Sequence, residues 1–467
     1  MSHDLRYADL FAGVGGFATA LRAMGIGHSY AVEIDEAAAR VYQLNHGHSP
    51  LGDITQDATD THVTVPHHDV LTGGFPCQPF SKSGAQRGMD EVRGTLFFNI
   101  EAIIREHRPT LVVLENVRNL AGPRHRHEWE VIIDHLRNAG YQVSAIPAVF
   151  SPHKIKPEFG GTPQVRERVF ITATLVPEGQ VADPDPKPIE LPPHVLMDRE
   201  WDLLEDLPLE PTFTAPGTEL SESEREWIDH WDQLVRAMWA WRRGQALATG
   251  ETLRRLPGFP IWADSWVSEK QHRQQLATAP AWKADFLRKN YDLYQSLKEV
   301  LGADYMARWL RVVRTFPESR RKLEWQAQDA SSMWDCVISL RPSGLRVKRP
   351  THLPALVAIT QTPIIGPLQR KLSAREAARL QGLPDEFVFG GQRDALTFKQ
   401  MGNGVNVGVV WNVVKAHVER DKDLLLATTE GAALYDLISG APDSPHDAVT
   451  RLFTGATPAG AKVQAVA

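Results

Sequence analysis

Over the first 175 residues, apolar positions fall into short unbroken blocks set between amphipathic stretches. Thr110-Leu111-Val112-Val113-Leu114 is a continuous apolar block of strand length, whereas Phe17 to Met24 carries its apolar residues at helical spacing. The pattern predicts a strand at Arg6–Phe11, a glycine turn, a helix to Met24 stopped by Gly25, and a strand at His28–Val32. A helix from Glu36 to Asn45, a strand at Asp69–Thr72, a helix from Thr95 to Arg105 and the strand ending at Leu114 come next. After them come a helix from Glu128 to Asn138 and strands at Tyr141–Val149 and Val169–Ala173. Strands separated by helices of this length predict an α/β fold, a doubly wound, mostly parallel sheet.

The pattern changes at Val176. A proline-rich link leads into a helical, tryptophan-heavy stretch running to about Trp334, which holds all the tryptophans except Trp129 and Trp411. Trp227, Trp231, Leu234, Met238 and Trp241 follow a helical stripe, read here as core. Regular patterning returns at Leu372–Phe387 and Gln400–Val418. The expected organisation is a catalytic domain of residues 1–175 plus 395–425, a second, largely helical domain of 176–394, and a poorly ordered tail at 440–467.

Bulk composition narrows the classes. A hydrophobic fraction of 42% and a charged fraction of 23% are those of a water-soluble protein, and no apolar run reaches the roughly 18 residues of a membrane span. The N-terminus lacks a basic-then-apolar leader, and two widely separated cysteines suggest no disulfide framework, so the expected location is the cytoplasm. The formal net charge of −6 still permits a local basic surface. No metal requirement is expected.

One cysteine, Cys77, sits in Gly73-Gly74-Phe75-Pro76-Cys77-Gln78-Pro79-Phe80-Ser81, where proline stiffens the chain ahead of the thiol and glycines permit close approach. Most free cysteines are core residues; this setting suits a nucleophile. Phe11-Ala12-Gly13-Val14-Gly15-Gly16, between a strand and a helix, is a glycine turn where doubly wound sheets bind nucleotide-like ligands. Glu33, about 20 residues on, stands where an acid holds ribose hydroxyls. Asp53 could bind an exocyclic amine or simply cap a turn. Glu115 follows the central strand and is either a crevice acid or a helix cap. Alternation would throw Arg166 and Arg168 to one face, either toward Cys77 and Glu115 or into solvent.

These motifs, in this order, resemble the DNA (cytosine-5)-methyltransferases. The resemblance rests on Asp9 to Phe17, Gly52-Asp53-Ile54-Thr55, Gly74-Phe75-Pro76-Cys77-Gln78, Arg93 to Phe98, Glu115-Asn116-Val117, Gln164-x-Arg166-x-Arg168, Arg375 to Pro384 and Gln400 to Val405. It covers about residues 5–175 and 340–415 and implies an AdoMet-dependent, Rossmann-like methyltransferase fold with a target-recognition domain between the two stretches. It implies S-adenosyl-L-methionine as donor and S-adenosyl-L-homocysteine as product. Phe11, Gly13, Gly15, Glu33, Ile34, Asp53, Ile54, Pro76, Leu96, Asn403 and Val405 would surround the donor. Cys77 would attack C6 of a flipped cytosine, Glu115 would meet N3 and the amino group, and Arg166 and Arg168 would hold the base and the cysteine loop. Double-stranded DNA would be the partner, contacted by Gln78, Ser81 and Ser83 and by the basic strip of Arg341, Arg346, Lys348 and Arg349, expected to be flexible. A monomer serving restriction-modification or another phage-defence system is implied; an RNA cytosine-5 methyltransferase and a catalytically silent DNA-binding regulator are the alternatives.

Overall fold

The computed structural model describes residues 4–76, 96–211, 215–250, 256–327, 329–356 and 361–454. Cys77, Gln78, Ser81 and Ser83 lie outside them. The chain divides into two compact units, the first comprising 1–201, 354–359 and 377–467 and the second 202–353 and 360–376. The proline-rich link to Trp201 thus belongs to the first unit, and the chain returns to that unit at 377, earlier than the sequence pattern suggested.

The first unit is built on β1 (Arg6–Leu10), β2 (Gly27–Val32), β3 (Val70–Gly74), β4 (Leu111–Val117), β5 (Tyr141–Val143), β6 (Ala148–Phe150) and β7 (Arg168–Leu175). The spatial order is β2-β1-β3-β4-β7-β5, with β6 also paired to β7. The contacts β1 with β2, β1 with β3, and β3 with β4 are parallel. Strand β7 runs antiparallel to β4, β5 and β6. Both faces of the central strands are covered, so Leu111, Val112, Val113 and Leu114 are completely buried, which is why they read as one apolar block. Because β2 and β3 lie on opposite sides of β1, the carboxyl ends of β1 and β3 form the switch point where such sheets leave a crevice.

Helices α1 (Gly16–Ala23), α2 (Glu36–His46), α3 (Leu96–His107) and α4 (Arg126–Asn138) connect the strands. The late segment supplies α5 (Asp394–Asn403), α6 (Val407–Arg420), α7 (Thr429–Ser439) and α8 (His446–Thr454). Helix α8 falls in the tail expected to be poorly ordered. Its Ala448 and Val449 are buried, and its Phe453 ring meets those of His46 and Phe387.

The second unit is not helical alone. Helices α9 (Glu222–Thr249), α10 (Glu269–Thr278), α11 (Ala281–Leu301) and α12 (Ala303–Val313) accompany a six-stranded sheet. Its strands are β8 (Ile261–Trp262), β9 (Lys322–Gln326), β10 (Val337–Arg341), β11 (Gly344–Lys348), β12 (Ile364–Ile365) and β13 (Arg370–Lys371), in the order β8-β9-β11-β10-β12-β13. The tryptophan stripe is core, as its spacing implied, but Trp239 rather than Trp241 completes it beside Trp231, Leu234, Val235 and Met238. The basic strip is the β10–β11 hairpin, paired from Val337–Lys348 to Arg341–Gly344.

Candidate functional site

A cavity of about 420 Å³ opens at the carboxyl ends of β1 to β4, a size within the range of small-molecule and cofactor sites. Its wall starts at Phe11, whose φ of +55° is unusual for a non-glycine residue and marks a strained turn leaving β1. Gly13 follows with φ +56° and open space where a side chain would stand. Glu33 ties this turn to the end of β2: one carboxylate oxygen accepts the Gly13 amide at 2.8 Å and the other the Asp35 amide at 2.7 Å. Each oxygen keeps a lone pair for a ligand hydroxyl. Ile34, also in the wall, is 72% exposed, an apolar side chain presented to whatever fills the cavity.

The opposite wall carries Gly74 at the end of β3 with Phe75 and Pro76 just after it, and Glu115, Asn116 and Val117 from β4. Register sets Gly74 beside Glu115, and a Cβ on Gly74 would sit 3.3 Å from the Glu115 carboxylate, so glycine there leaves that carboxylate its room. Arg168 Nε meets Glu115 Oε1 at 2.8 Å. Burial pushes the Glu115 carboxyl above the usual carboxylate range, and the Arg168 and Arg166 guanidiniums oppose the rise without cancelling it. Asn116, to which the sequence pattern assigned no role, donates from Nδ2 to the Phe75 carbonyl at 2.9 Å and pins the chain just before Pro76 and Cys77.

The third wall is the late segment: Leu396, Lys399, Gln400, Gly402 and Asn403. Lys399 Nζ meets Asp35 Oδ2 at 2.7 Å across 364 residues of chain. Arg166 does not share a role with Arg168. It is buried, and its Nη2 donates to the carbonyls of Gly402 (2.8 Å) and Gly404 (2.5 Å), clamping the late segment. Gln381 adds a bond from Nε2 to the Met401 carbonyl at 2.8 Å.

The structure thus gathers Phe11, Gly13, Glu33, Ile34, Pro76, Glu115, Arg168 and Asn403 around one cavity. Gly15, Asp53, Ile54, Leu96 and Val405 are not in its wall. Asp53 caps the short helix Ile54–Asp57, accepting from the Thr55 amide at 3.0 Å and the Thr55 hydroxyl at 2.8 Å, and Ile54 is core. Gly15 and Gly16 are required by packing. A side chain on Gly15 would strike His46, and one on Gly16 would lie 2.7 Å from the Val405 carbonyl oxygen.

Arg341, Arg346 and Lys348 lie on the β10–β11 hairpin of the second unit and Arg349 just beyond it. Among the described residues, no helix is long and apolar enough to cross a membrane, and no group of three or more His, Cys, Asp or Glu residues is placed to hold a metal ion.

The family model for C-5 cytosine-specific DNA methylase matches residues 5–419. The chain belongs to that family. This methylase therefore transfers a methyl group to C5 of cytosine in DNA, as its Cys77 motif and buried Glu115 suggested. It is similar to the type II methyltransferase M.AluI of Cellulosimicrobium cellulans, at 48% identity over 94% of this chain and 96% of that protein. A second similar protein is the type II methyltransferase M.BanI of Aneurinibacillus aneurinilyticus, at 27% identity over 88% and 95%. Among solved structures, the S. pombe Dnmt2 methyltransferase matches at 18% identity with a TM-score of 0.41, over 89% of this chain and 98% of that one.

Proposed function

We propose that the cavity binds S-adenosyl-L-methionine and that this methylase modifies one cytosine within a short sequence of double-stranded DNA. The observation that carries the reading is the meeting of two walls in one cavity. One is a glycine turn tied to an acid, suited to a nucleoside; the other is a buried carboxyl in the same wall as Pro76, the residue before Cys77 in sequence. The residues fit the donor. Glu33 keeps lone pairs for ribose hydroxyls, Phe11 and Ile34 offer apolar faces to a base, and Gly13 leaves space for close approach. Bound there, the donor supplies an electrophilic methyl group on a sulfonium.

The protein must make cytosine C5 nucleophilic. Attack of the Cys77 thiolate on C6 breaks the ring's aromaticity and gives C5 enamine character. The Glu115 carboxyl, whose proton affinity burial raises, meets N3 and so stabilises the charge developing on the ring. After C5 is methylated, a base removes the C5 proton and the C6–S bond breaks, restoring the aromatic ring and the thiolate. Arg168 orients Glu115, and Arg166 keeps the late segment closed on the cavity. A stacked cytosine cannot reach this wall, so the base must leave the duplex, at a cost of a few kcal/mol.

The second unit is assigned to sequence reading, with Arg341, Arg346, Lys348 and Arg349 as DNA contacts; Gln78, Ser81 and Ser83, close to the thiol in sequence, are assigned further contacts. The type II names of the similar proteins support DNA over RNA as substrate and a restriction-modification role. We assign action as a cytoplasmic monomer. The test is base-resolution cytosine-methylation sequencing of DNA from a methylation-free bacterial host expressing the chain, with Cys77→Ala as control. Marks at one short motif, absent in the control, are expected. Unmarked DNA from a host producing folded wild-type protein would overturn the reading.

A further inference from the structure

One face of the β9–β11–β10 sheet in the second unit is polar. Its use in DNA recognition rests on the proposed assignment of the second unit to sequence reading. Leu323, Trp325, Leu345, Val347 and Ile338 are buried on one side of this sheet, so strand alternation turns Lys322, Glu324, Gln326, Arg346, Lys348 and Ser339 to the other, together with the buried Val337 beside Lys348. The register places Arg346 between Glu324 and Ser339, and Lys348 beside Gln326. Arg346 Nε and Nη2 both reach Glu324 Oε2 at 2.6 Å. The pair is partly shielded, with side-chain exposures of 31% and 20%.

This arrangement has a chemical consequence. A guanidinium carries five N–H donors in a rigid fork. Glu324 takes its Nε–Nη2 edge and leaves the Nη1–Nη2 end, whose two donors match the N7 and O6 acceptors on the major-groove edge of guanine. Both ends of this recognition element sit on paired strands, so little ordering is needed when a base arrives. The surrounding charge points the same way. Lys348 is half-buried; desolvation and the fields of Arg346 and Arg341 hold its ammonium pKa down, and Glu324 opposes them. Among the described residues, Lys322, Arg341, Arg346 and Lys348 share this face with Glu324, an excess of positive charge that a polyanion relieves.

We propose that Arg346 reads a guanine of the target sequence by a bidentate contact to N7 and O6, and that Glu324 is the positioning residue that fixes its guanidinium. Lys348 and Arg341 meet the flanking phosphates.

The experiment uses duplexes carrying the motif found by methylation sequencing, with each guanine replaced in turn by 7-deazaguanine, which lacks the N7 acceptor. Inosine, which keeps N7 and O6 and lacks only the minor-groove amine, is the control. For the wild type, kcat/KM falls about tenfold or more at one guanine with 7-deazaguanine and stays unchanged with inosine there. Arg346→Lys keeps the charge but loses the fork. It slows the cognate site by about 10- to 100-fold, mainly through KM, and becomes indifferent to 7-deazaguanine at that position. Glu324→Ala weakens the same discrimination with donor affinity and thermal midpoint unchanged, and Glu324→Gln, which retains an acceptor, recovers part of it. A wild-type pattern of 7-deazaguanine sensitivity in Arg346→Lys would overturn the guanine assignment, and an unaltered KM and pattern in Glu324→Ala would overturn the positioning role. Either result would leave the methylation reading standing. That reading fails separately, if wild-type protein marks no DNA at all.

Discussion

Replacing Asp9 by asparagine should flatten the pH dependence of stability between pH 6 and 8. Asp9 is completely buried at the carboxyl end of β1, two residues before the strained Phe11 turn. Burial lifts its carboxyl to about 8, against the lowering effect of hydrogen bonds from the Thr72 hydroxyl and the Ala18 backbone; the Glu33 charge adds to the rise. The Thr72 hydroxyl donates to Oδ1 at 3.0 Å, while Oδ2 has no partner among the described residues and is the natural seat of a proton. An unfolded aspartate titrates near 4, so the folded state holds an extra proton between about pH 4 and 8. The stability this contributes is fully present below pH 4 and is lost as pH rises through 8. Linkage gives about 1.4 kcal/mol per pH unit well inside that window and about 2 kcal/mol in total from pH 6 to 8. Asparagine keeps the shape and does not titrate. Urea unfolding of both proteins at pH 6, 7 and 8 isolates the term, because every other group cancels in the difference. The wild type should lose about 2 kcal/mol relative to the variant over that range. Parallel curves would refute the argument and place an ionised carboxylate at Asp9.

Glu115→Gln should lower kcat by about 10²–10⁴ with donor affinity unchanged, since the amide keeps the shape but has no carboxyl proton to share; single-turnover kinetics and calorimetry separate the two. Glu33→Ala should weaken donor binding more than DNA binding, because it frees the Gly13 and Asp35 amides and removes the acceptors facing the cavity; equal losses in paired titrations would remove Glu33 from the donor site. Gly16→Ala would place a methyl group 2.7 Å from the Val405 carbonyl oxygen and 2.8 Å from its Cγ1. It should cost about 1–3 kcal/mol of stability and loosen donor binding, measured by denaturation and calorimetry. Arg370→Met should destabilise the second unit by about 3–5 kcal/mol, because Glu376, bonded to Arg370 at 2.7 and 3.0 Å, would keep a buried, uncompensated charge. Tryptophan fluorescence in urea reports it, since that unit holds most of the tryptophans.

The elements of the first unit were legible because a buried parallel strand must be apolar at every position, as Leu111 to Leu114 are. The direction of β7 was not, since an apolar block reads alike in either orientation. Asp53 shows a different limit: an acid before a short helix satisfies a cap and a ligand equally well in sequence, and only geometry separates them. The Lys399–Asp35 pair left no local signal at a separation of 364 residues. The basic strip reads as flexible in sequence because Arg341, Arg346, Lys348, Ser343 and Gly344 dominate its composition. Period-two burial at Leu345 and Val347, with Gly344 at φ +143° in the turn, is what makes it a hairpin.

Arg166 explains how two distant stretches of sequence can serve one reaction. Burying a guanidinium is costly, and that burial, reinforced by Arg168, drives its pKa down to about 9, yet it remains charged at neutral pH. Its Nη2 carries the Gly402 and Gly404 carbonyls, and so sets the wall that contains Gln400 and Asn403. Its field also acts on Glu115, where it opposes the rise that burial imposes. A neutral side chain could hold the carbonyls but would exert no such field, and a surface arginine would be screened by water. The same cation therefore links the late segment to the acid at the end of β4. Any ligand that changes the charge on Glu115 changes the field at Arg166, and with it the hold on the wall against which the donor is proposed to rest.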